Sequence, residues 1–267
     1  MDASRVLACP HCALQLHLEP SGATCENRHS FDRARGGYLN LLVAGRLGSS
    51  VTPGDAPDAL AARRRFLSAG YYSPIAAALA EAVETPAGPL LDVGCGEGYY
   101  LSQLAMPDRF GLDVSKAAVQ MASRLLPDAQ FVVGSAYRLP VLDVSVAAVT
   151  SVFAPRPFAE ILRVLQPGGR WVTVTPGALH LQEMRPQLSG ENERKAIDRL
   201  ARREDAPPDA SSARQVRFQL ALAADALAEL FLMTPIRWQS GAAAAAAAAG
   251  REVTVDVWVS WGLKPPS

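Results

Sequence analysis

Residues 89–100 run Pro89-Leu90-Leu91-Asp92-Val93-Gly94-Cys95-Gly96-Glu97-Gly98-Tyr99-Tyr100, and their reading decides the fold. Leu90 to Val93 is a short apolar run of the kind that forms a strand buried on both faces. It passes directly into three glycines at alternate positions. Glycine lets the backbone turn tightly from strand to helix and brings it close to a ligand at the helix N-terminus. Nineteen residues after Gly94, Asp113 ends a second apolar run, where a carboxylate can accept hydrogen bonds from ribose hydroxyls. The spacing is G-x-G-x-G, not the dinucleotide G-x-G-x-x-G, and Glu97 occupies the place of a pyrophosphate. An anion there repels phosphate and suits a ligand bearing an ammonium and a sulfonium. Gly94, Gly96, Glu97, Gly98 and Asp113 therefore read as a site for S-adenosylmethionine. The competing reading is a Rossmann-like domain whose glycines only make a turn.

Downstream, the pattern alternates. A helix is expected over 97–105, a strand over 110–113, a helix over 115–126, strands over 130–133 and 147–153, a helix over 157–165 and a strand over 170–175. Strands alternating with helices predict an α/β fold, a doubly wound parallel sheet covered on both faces. The tail adds a helix over 222–232 and strands over 236–238 and 253–259, whose closeness in sequence suggests an antiparallel edge. Between those strands eight alanines, Ala242 to Ala249, are bracketed by Gly241 and Gly250. Alanine favours helix and glycine ends it, so a short crossover helix is expected there. Upstream, residues 59–83 read as helix broken between Gly70 and Pro74. Residues 45–58 mix Gly, Ser, Pro and Asp without periodicity, as a linker does. The division is a module over 1–44, a linker and helical segment over 45–84, and the ligand-binding domain over 85–267.

The N-terminal module carries Cys9-x-x-Cys12 and Cys25-x-x-x-His29, with twelve residues between the two pairs. Three thiolates and an imidazole at this spacing close a tetrahedral zinc site with no position open for substrate, so the metal is structural. Leu14, Leu16 and Leu18 alternate as in one strand of a hairpin, and Gly22 is placed at its turn. A module this small cannot bury enough apolar surface alone, and metal binding is the usual remedy. Ordinary thiols or a disulfide are the bland alternative. His11 and His17 sit at no finger spacing from Cys25 and are read as bystanders.

The 267 residues, 49% of them hydrophobic, suffice for one sizeable core and a small satellite. Met1 to Arg5 opens no long apolar stretch, and no run approaches the ~18 residues that span a bilayer, so a cytoplasmic protein without membrane contact is expected. Lys and Arg together number 26, as do Asp and Glu, which removes any whole-protein charge argument for nucleic-acid binding. Local patches must carry it. Arg28, Arg33, Arg35 and Arg46 are opposed by Asp32 alone, and Arg63-Arg64-Arg65 follow. Arg28, Arg33, Arg35 and Arg64 are the candidate phosphate contacts, against the plain reading of a solvated face.

Beyond these local readings, Cys9 to His29, Phe31-Asp32, Gly37 to Leu42, Phe66-Leu67 with Gly70-Tyr71-Tyr72, Leu91 to Tyr100, Gly111 to Lys116, Thr175-Pro176-Gly177 with His180-Leu181, and Met233-Thr234-Pro235 together resemble the ribosomal RNA large-subunit guanine-N1 methyltransferases. The likeness covers nearly the whole chain. It implies a zinc-binding RNA-recognition module ahead of a class I S-adenosylmethionine-dependent methyltransferase domain. It also implies methylation of N1 of a guanine in hairpin 35 of the large-subunit RNA, and a homodimer whose two zinc modules flank an RNA cleft. Cys9, Cys12, Cys25 and His29 match the family's zinc ligands, and Tyr72, Gly96, Glu97 and His180 match its cofactor contacts. The glycine loop is similar to a branch typical of Gram-negative bacteria, whereas Val152 to Arg156 is more similar to a branch tied to macrolide resistance.

Guanine N1 carries a proton and is weakly nucleophilic, so its methylation needs positioning and removal of that proton. Phe153 follows the fourth strand of the expected sheet, where it would either stack on the guanine or pack in the core. His180, after the fifth, is a candidate base, a cofactor contact or a structural residue. Two other functions fit parts of the pattern: a small-molecule methyltransferase stabilised by zinc, and a zinc-dependent RNA-binding protein without catalysis. Intact Asp92, Gly94, Gly96 and Asp113 argue against the second, and the arginines beside the zinc site against the first.

Overall fold

The computed structural model describes residues 5–43, 56–84, 87–184, 212–234 and 252–265. The 45–55 part of the linker with Arg46, the expected strand over 236–238 and the alanine tract lie outside the described residues. In chain order the elements are β1 His17–Glu19, β2 Gly22–Thr24, β3 Ser30–Asp32, β4 Leu39–Asn40, α1 Pro57–Ser68, α2 Ser73–Val83 and β5 Leu90–Val93. There follow α3 Tyr99–Ser102, β6 Arg109–Asp113, α4 Lys116–Leu125, β7 Gln130–Val133, β8 Val146–Val152, α5 Phe158–Val164, β9 Leu165–Pro176, β10 Ser212–Ala221, α6 Ala224–Met233 and β11 Glu252–Leu263. Among the described residues no helix is long and apolar enough to cross a membrane.

Three strands, β1 to β3, form a small antiparallel sheet, and eight form the main one in the order β10-β11-β9-β8-β5-β6-β7-β4. From β9 to β4 the pairings are parallel. The chain winds from β5 outward through β6 to β7, then returns to β8 on the other side of β5. That reversal is the switch point at which sheets of this kind bind ligands, beyond the carboxyl ends of the strands. β11 runs against both β9 and β10. The antiparallel edge expected from the tail is therefore built by β11 with β10, a strand the reading above passes over. Its Val216, Phe218 and Leu220 alternate with Arg217 and Gln219, a period-2 signal.

The helices start where local chemistry puts them. Pro57 and Pro74 open α1 and α2, and Gly70 between them has φ +83°. The Ser115 hydroxyl accepts the N–H of Ala118 at 3.3 Å and caps α4. The helix expected over 97–105 is only the single turn α3, because Gly98, with φ +89°, still belongs to the loop.

Leu90 and Leu91 on β5 face opposite sides of the sheet. One side packs on α1, α2, α3, α4 and α6 through Phe66, Leu79, Leu101, Val119 and Leu227. The other packs on α5 through Phe158 and Ile161, and on the N-terminal module through Val6, Leu7, Leu16 and Leu39. The β7–β8 crossover, residues 134–145, contains no helix, and the module occupies that side instead. Leu7 bridges Val141, Ala8 donates to the carbonyl of Pro140 at 3.0 Å, and Leu142 donates to that of Val6 at 2.8 Å. β4 completes the fusion by pairing in parallel with β7. The hydrophobic core thus runs across residue 44. Within the module, Gly22 is not the turn residue: it lies in β2 opposite Asp32, and a Cβ there would come 2.3 Å from the carbonyl oxygen of Phe31.

Candidate functional site

Cys9 and Cys12 lie on a tight turn ahead of β1, where the N–H of Ala13, at φ +61°, bonds the carbonyl of Cys9 at 2.8 Å. Cys25 and His29 close a second turn between β2 and β3, held by the N–H of Arg28 on the carbonyl of Cys25 at 2.8 Å. Their donor atoms all fall within 4.8 Å of one another, the metal-type cluster found among the described residues. Zinc with Zn–S near 2.3 Å and Zn–N near 2.0 Å makes tetrahedral edges of about 3.8 Å between sulfurs and about 3.5 Å from sulfur to nitrogen. Here Cys12 and Cys25 Sγ are 3.7 Å apart, and His29 Nδ1 lies 3.5, 3.6 and 3.4 Å from Sγ of Cys9, Cys12 and Cys25. The donors are already spaced for the ion. Burial pushes the Cys9 thiol up to about 11, while the N–H of Leu14 chiefly draws Cys12 down to about 6. A divalent cation would hold both as thiolates. His11 is no part of this set; its ring packs on His29 and Phe31.

The second site lies at the switch point. The loops after β5 and β8 touch there so closely that a Cβ on Gly94, itself at φ +76°, would stand 2.3 Å from that of Ala154. Asp113 pins the glycine loop by accepting the N–H of Gly96 at 2.9 Å on Oδ2 and that of Ser115 at 2.8 Å on Oδ1. A carboxylate oxygen can accept more than one hydrogen bond, so a group that holds the loop can also take a ribose hydroxyl. Asp92 lies beneath the loop, buried, with the Thr150 hydroxyl donating to it at 2.8 Å. Burial pushes its carboxyl up to about 7; Thr150 opposes this, and the charges of Asp113 and Glu97 add to it. Glu97 is itself buried. Three acids thus surround a loop suited to a cationic ligand.

Four rings converge beside the loop. Phe153 lies 6.3 Å from Tyr72, 6.5 Å from Tyr100 and 5.7 Å from His180, stacked on the last at 26°. Phe153 is 39% exposed, not a fully buried core aromatic, and it sits at φ +52°, a conformation few non-glycine residues adopt. Its N–H donates to the carbonyl of Val174 at 3.0 Å. His180 Nδ1 accepts the N–H of Asp256 at 3.3 Å, so the ring's proton resides on Nε2. Asp256, wholly buried in β11, accepts from Leu179 N–H at 2.9 Å and from Gln215 Nε2 at 2.7 Å, with Arg217 at 3.3 Å. Desolvation opposes its ionisation, but these donors outweigh it and hold the carboxyl below the ordinary range. Sequence reasoning missed Asp256, whose sign was an acid set among Val253, Val255, Val257 and Val259.

The arginines part company. Arg33 is spent inside the protein, donating to the carbonyl of Gly37 at 2.6 Å and to Gln130 Oε1 at 3.2 Å. Arg28 and Arg35 are exposed on the module. Arg64 is exposed on α1 and lines a small cavity with Glu97, Tyr99, Met121 and Leu125, while Arg65 pairs with Glu229 of α6. Arg63 turns inward and donates from Nη2 to the carbonyl of Met233 at 3.2 Å. Helical residues one apart point about 100° from each other, so a run of three could not make one patch.

The N-terminal domain profile of the RlmA family, a zinc ribbon, matches residues 7–46, and a methyltransferase domain profile matches residues 90–169. The 23S rRNA (guanine(748)-N(1))-methyltransferase of Streptomyces fradiae is 37% identical over 245 residues, covering 88% of this chain and 86% of that protein. A Micromonospora griseorubida protein, provisionally named for guanine-N1 methylation of 23S rRNA, is 40% identical over 208 residues, 68% of this chain and 69% of its own. Among solved structures, a Haemonchus contortus phosphoethanolamine N-methyltransferase with S-adenosylhomocysteine gives a TM-score of 0.50 at 14% identity, covering 78% of this chain and 58% of that one. That likeness bears on the fold alone.

Proposed function

The chain belongs to the large-subunit ribosomal RNA guanine-N1 methyltransferases, and from this premise we propose that it transfers a methyl group from S-adenosylmethionine to N1 of a guanine in hairpin 35 of that RNA. The observation that carries the reading is the fusion of the two parts. β4 leaves the zinc module as an edge strand of the main sheet, and Leu41 N–H bonds the carbonyl of Val133 at 2.9 Å, at the carboxyl end where the glycine loop also lies. A metabolite enzyme has no need of a metal module built into its sheet in this way.

Bound S-adenosylmethionine supplies an electrophilic methyl on a sulfonium, and this chain's residues do the rest. Gly94, Gly96 and Gly98 admit the cofactor to the backbone, Asp113 takes the ribose hydroxyls, and Asp92 and Glu97 complement its positive charge. Phe153 stacks on the target guanine, which must leave its own stack to be reached. His180 offers Nε2–H as a donor beside the cofactor, and its Nδ1 is engaged, so it does not take the N1 proton. Arg28, Arg35 and Arg64 contact phosphates and fix the hairpin's position, as phosphate contacts generally do. Arg33 serves by holding the module against β7. Two copies, with zinc modules flanking the RNA, complete the proposal, and light scattering of the purified protein checks the copy number. Primer extension on large-subunit RNA from cells with and without the gene tests the reaction. Methylated N1 cannot pair, so a stop at one hairpin 35 guanine is expected only with the gene; no difference between the strains overturns it.

A further inference from the structure

S-adenosylmethionine ends in an amino acid, and its carboxylate enters a neighbourhood that repels it, since Asp92, Glu97 and Asp113 gather at the glycine loop. A cation has to accompany it. Arg63 stands there: Nη1 lies 3.7 Å from where a Cβ on Gly96 would be, directly over the loop. Its bond to the Met233 carbonyl anchors the guanidinium from α6. Arg65 is turned away to Glu229, and Arg64 is exposed, lining a cavity on the Met121 and Leu125 side of Glu97.

Two further groups point to a ligand at this spot. The hydroxyls of Tyr72 and Tyr100 are buried and have no hydrogen-bond partner among the described residues. Such orphans are uncommon in folded proteins and call for a partner the protein itself does not provide. Tyr72 and Tyr100 flank Phe153 at 6.3 and 6.5 Å between ring centroids, beside the loop that Arg63 overlies, and Arg63 and Glu97 are among the charges that act on the Tyr100 hydroxyl. Burial keeps both phenols protonated, as donors. A guanidinium with a neighbouring O–H matches a carboxylate with two acceptor oxygens.

We propose that Arg63, with the hydroxyl of Tyr100, holds the methionine carboxylate of S-adenosylmethionine. The proposal rests on that cofactor but not on the RNA substrate. It assigns α1 a part in ligand binding and divides the arginine run between two ligands.

Calorimetry on the full-length, zinc-loaded protein tests it with three ligands: S-adenosylhomocysteine, decarboxylated S-adenosylmethionine and 5′-methylthioadenosine. Only the first carries the carboxylate. Arg63→Met is expected to weaken S-adenosylhomocysteine roughly 10- to 100-fold, the value of a charge-assisted hydrogen bond, and the other two less than about twofold. Tyr100→Phe should show the same selectivity with a smaller loss. Retained binding of 5′-methylthioadenosine reports that the variant pocket is folded. Equal weakening of all three ligands, or none for S-adenosylhomocysteine, overturns the proposal. A wild-type protein that binds no adenosyl ligand overturns the cofactor assignment as well, so the two failures are distinct.

Discussion

Loss of the zinc should destabilise the whole protein, not the module alone. Val6, Leu7, Leu16, Leu39 and Leu41 are each no more than 3% exposed, and they share one cluster with Val93, Leu112, Val132 and Val141 of the main sheet. Burying a side chain of this size is worth roughly 1.5–3 kcal/mol, so the five amount to something on the order of 10 kcal/mol as an upper estimate. Domain stabilities are themselves about 5–15 kcal/mol. Cys25→Ser breaks the ligand tetrahedron, and a partly unfolded module would uncover the side of the sheet that no β7–β8 helix covers. Scanning calorimetry should show one transition, shifted down by well over 10 °C, and near one equivalent of zinc should be lost. Fluorescence offers a second probe, because Trp171 is buried in the same cluster, packed edge-on against Phe158 at 4.9 Å. S-adenosylhomocysteine affinity should weaken in the variant at temperatures where the wild type is fully folded. The reasoning is refuted by two separate transitions, the larger at the wild-type temperature, with cofactor affinity unchanged. The module would then be the detachable unit that the order of the sequence suggests.

Asp92 makes cofactor binding depend on pH. The unfolded carboxyl titrates near 3.8 and the folded one near 7, so between these values the folded protein holds a proton the unfolded chain has lost, and stability falls as pH rises through that window. A cationic ligand reverses the preference: affinity for S-adenosylmethionine should rise with pH up to about 7, with proton release seen by calorimetry in buffers of different ionisation enthalpy, and Asp92→Asn should abolish both. Asp113→Ala should weaken S-adenosylmethionine by roughly 1.5–3 kcal/mol. It should also lower the melting temperature, since Gly96 and Ser115 lose their acceptor; an unchanged affinity would place the ribose elsewhere. Phe153→Ala should reduce methylation of hairpin RNA by the roughly 1–3 kcal/mol of a base stack while cofactor affinity holds, and equal activity would make the ring a bystander. Replacing Arg28, Arg35 and Arg64 by alanine should flatten the plot of log RNA affinity against log salt by up to about three units; an unchanged slope would return them to a solvated face.

The parts of this protein that were legible in its sequence are those whose cause is local. The glycine loop, the zinc pairs and the α1–α2 break each follow from residues within a few positions of one another: Gly94 to Gly98, Cys9 with Cys12, Gly70 with Pro74. The tetrahedron needs two such pairs, yet each is fixed by its own turn, so spacing alone brought the four donors together. What the sequence withheld depends on partners far along the chain. Leu7 beside Val141, Asp256 beneath His180 and Arg33 against Gln130 have no periodicity to announce them. The three arginines at 63–65 show the same limit within three consecutive residues, because their separate fates are set by Met233, by the Glu97 cavity and by Glu229, not by composition. A charge run therefore locates a helix face poorly, whereas the direction of each side chain decides which ligand it serves. Phe153 sharpens the point: nothing in Val152-Phe153-Ala154 separates a core aromatic from an exposed one. Only the left-handed backbone at this position, fixed by Val174 on the neighbouring strand, turns the ring out to the switch point.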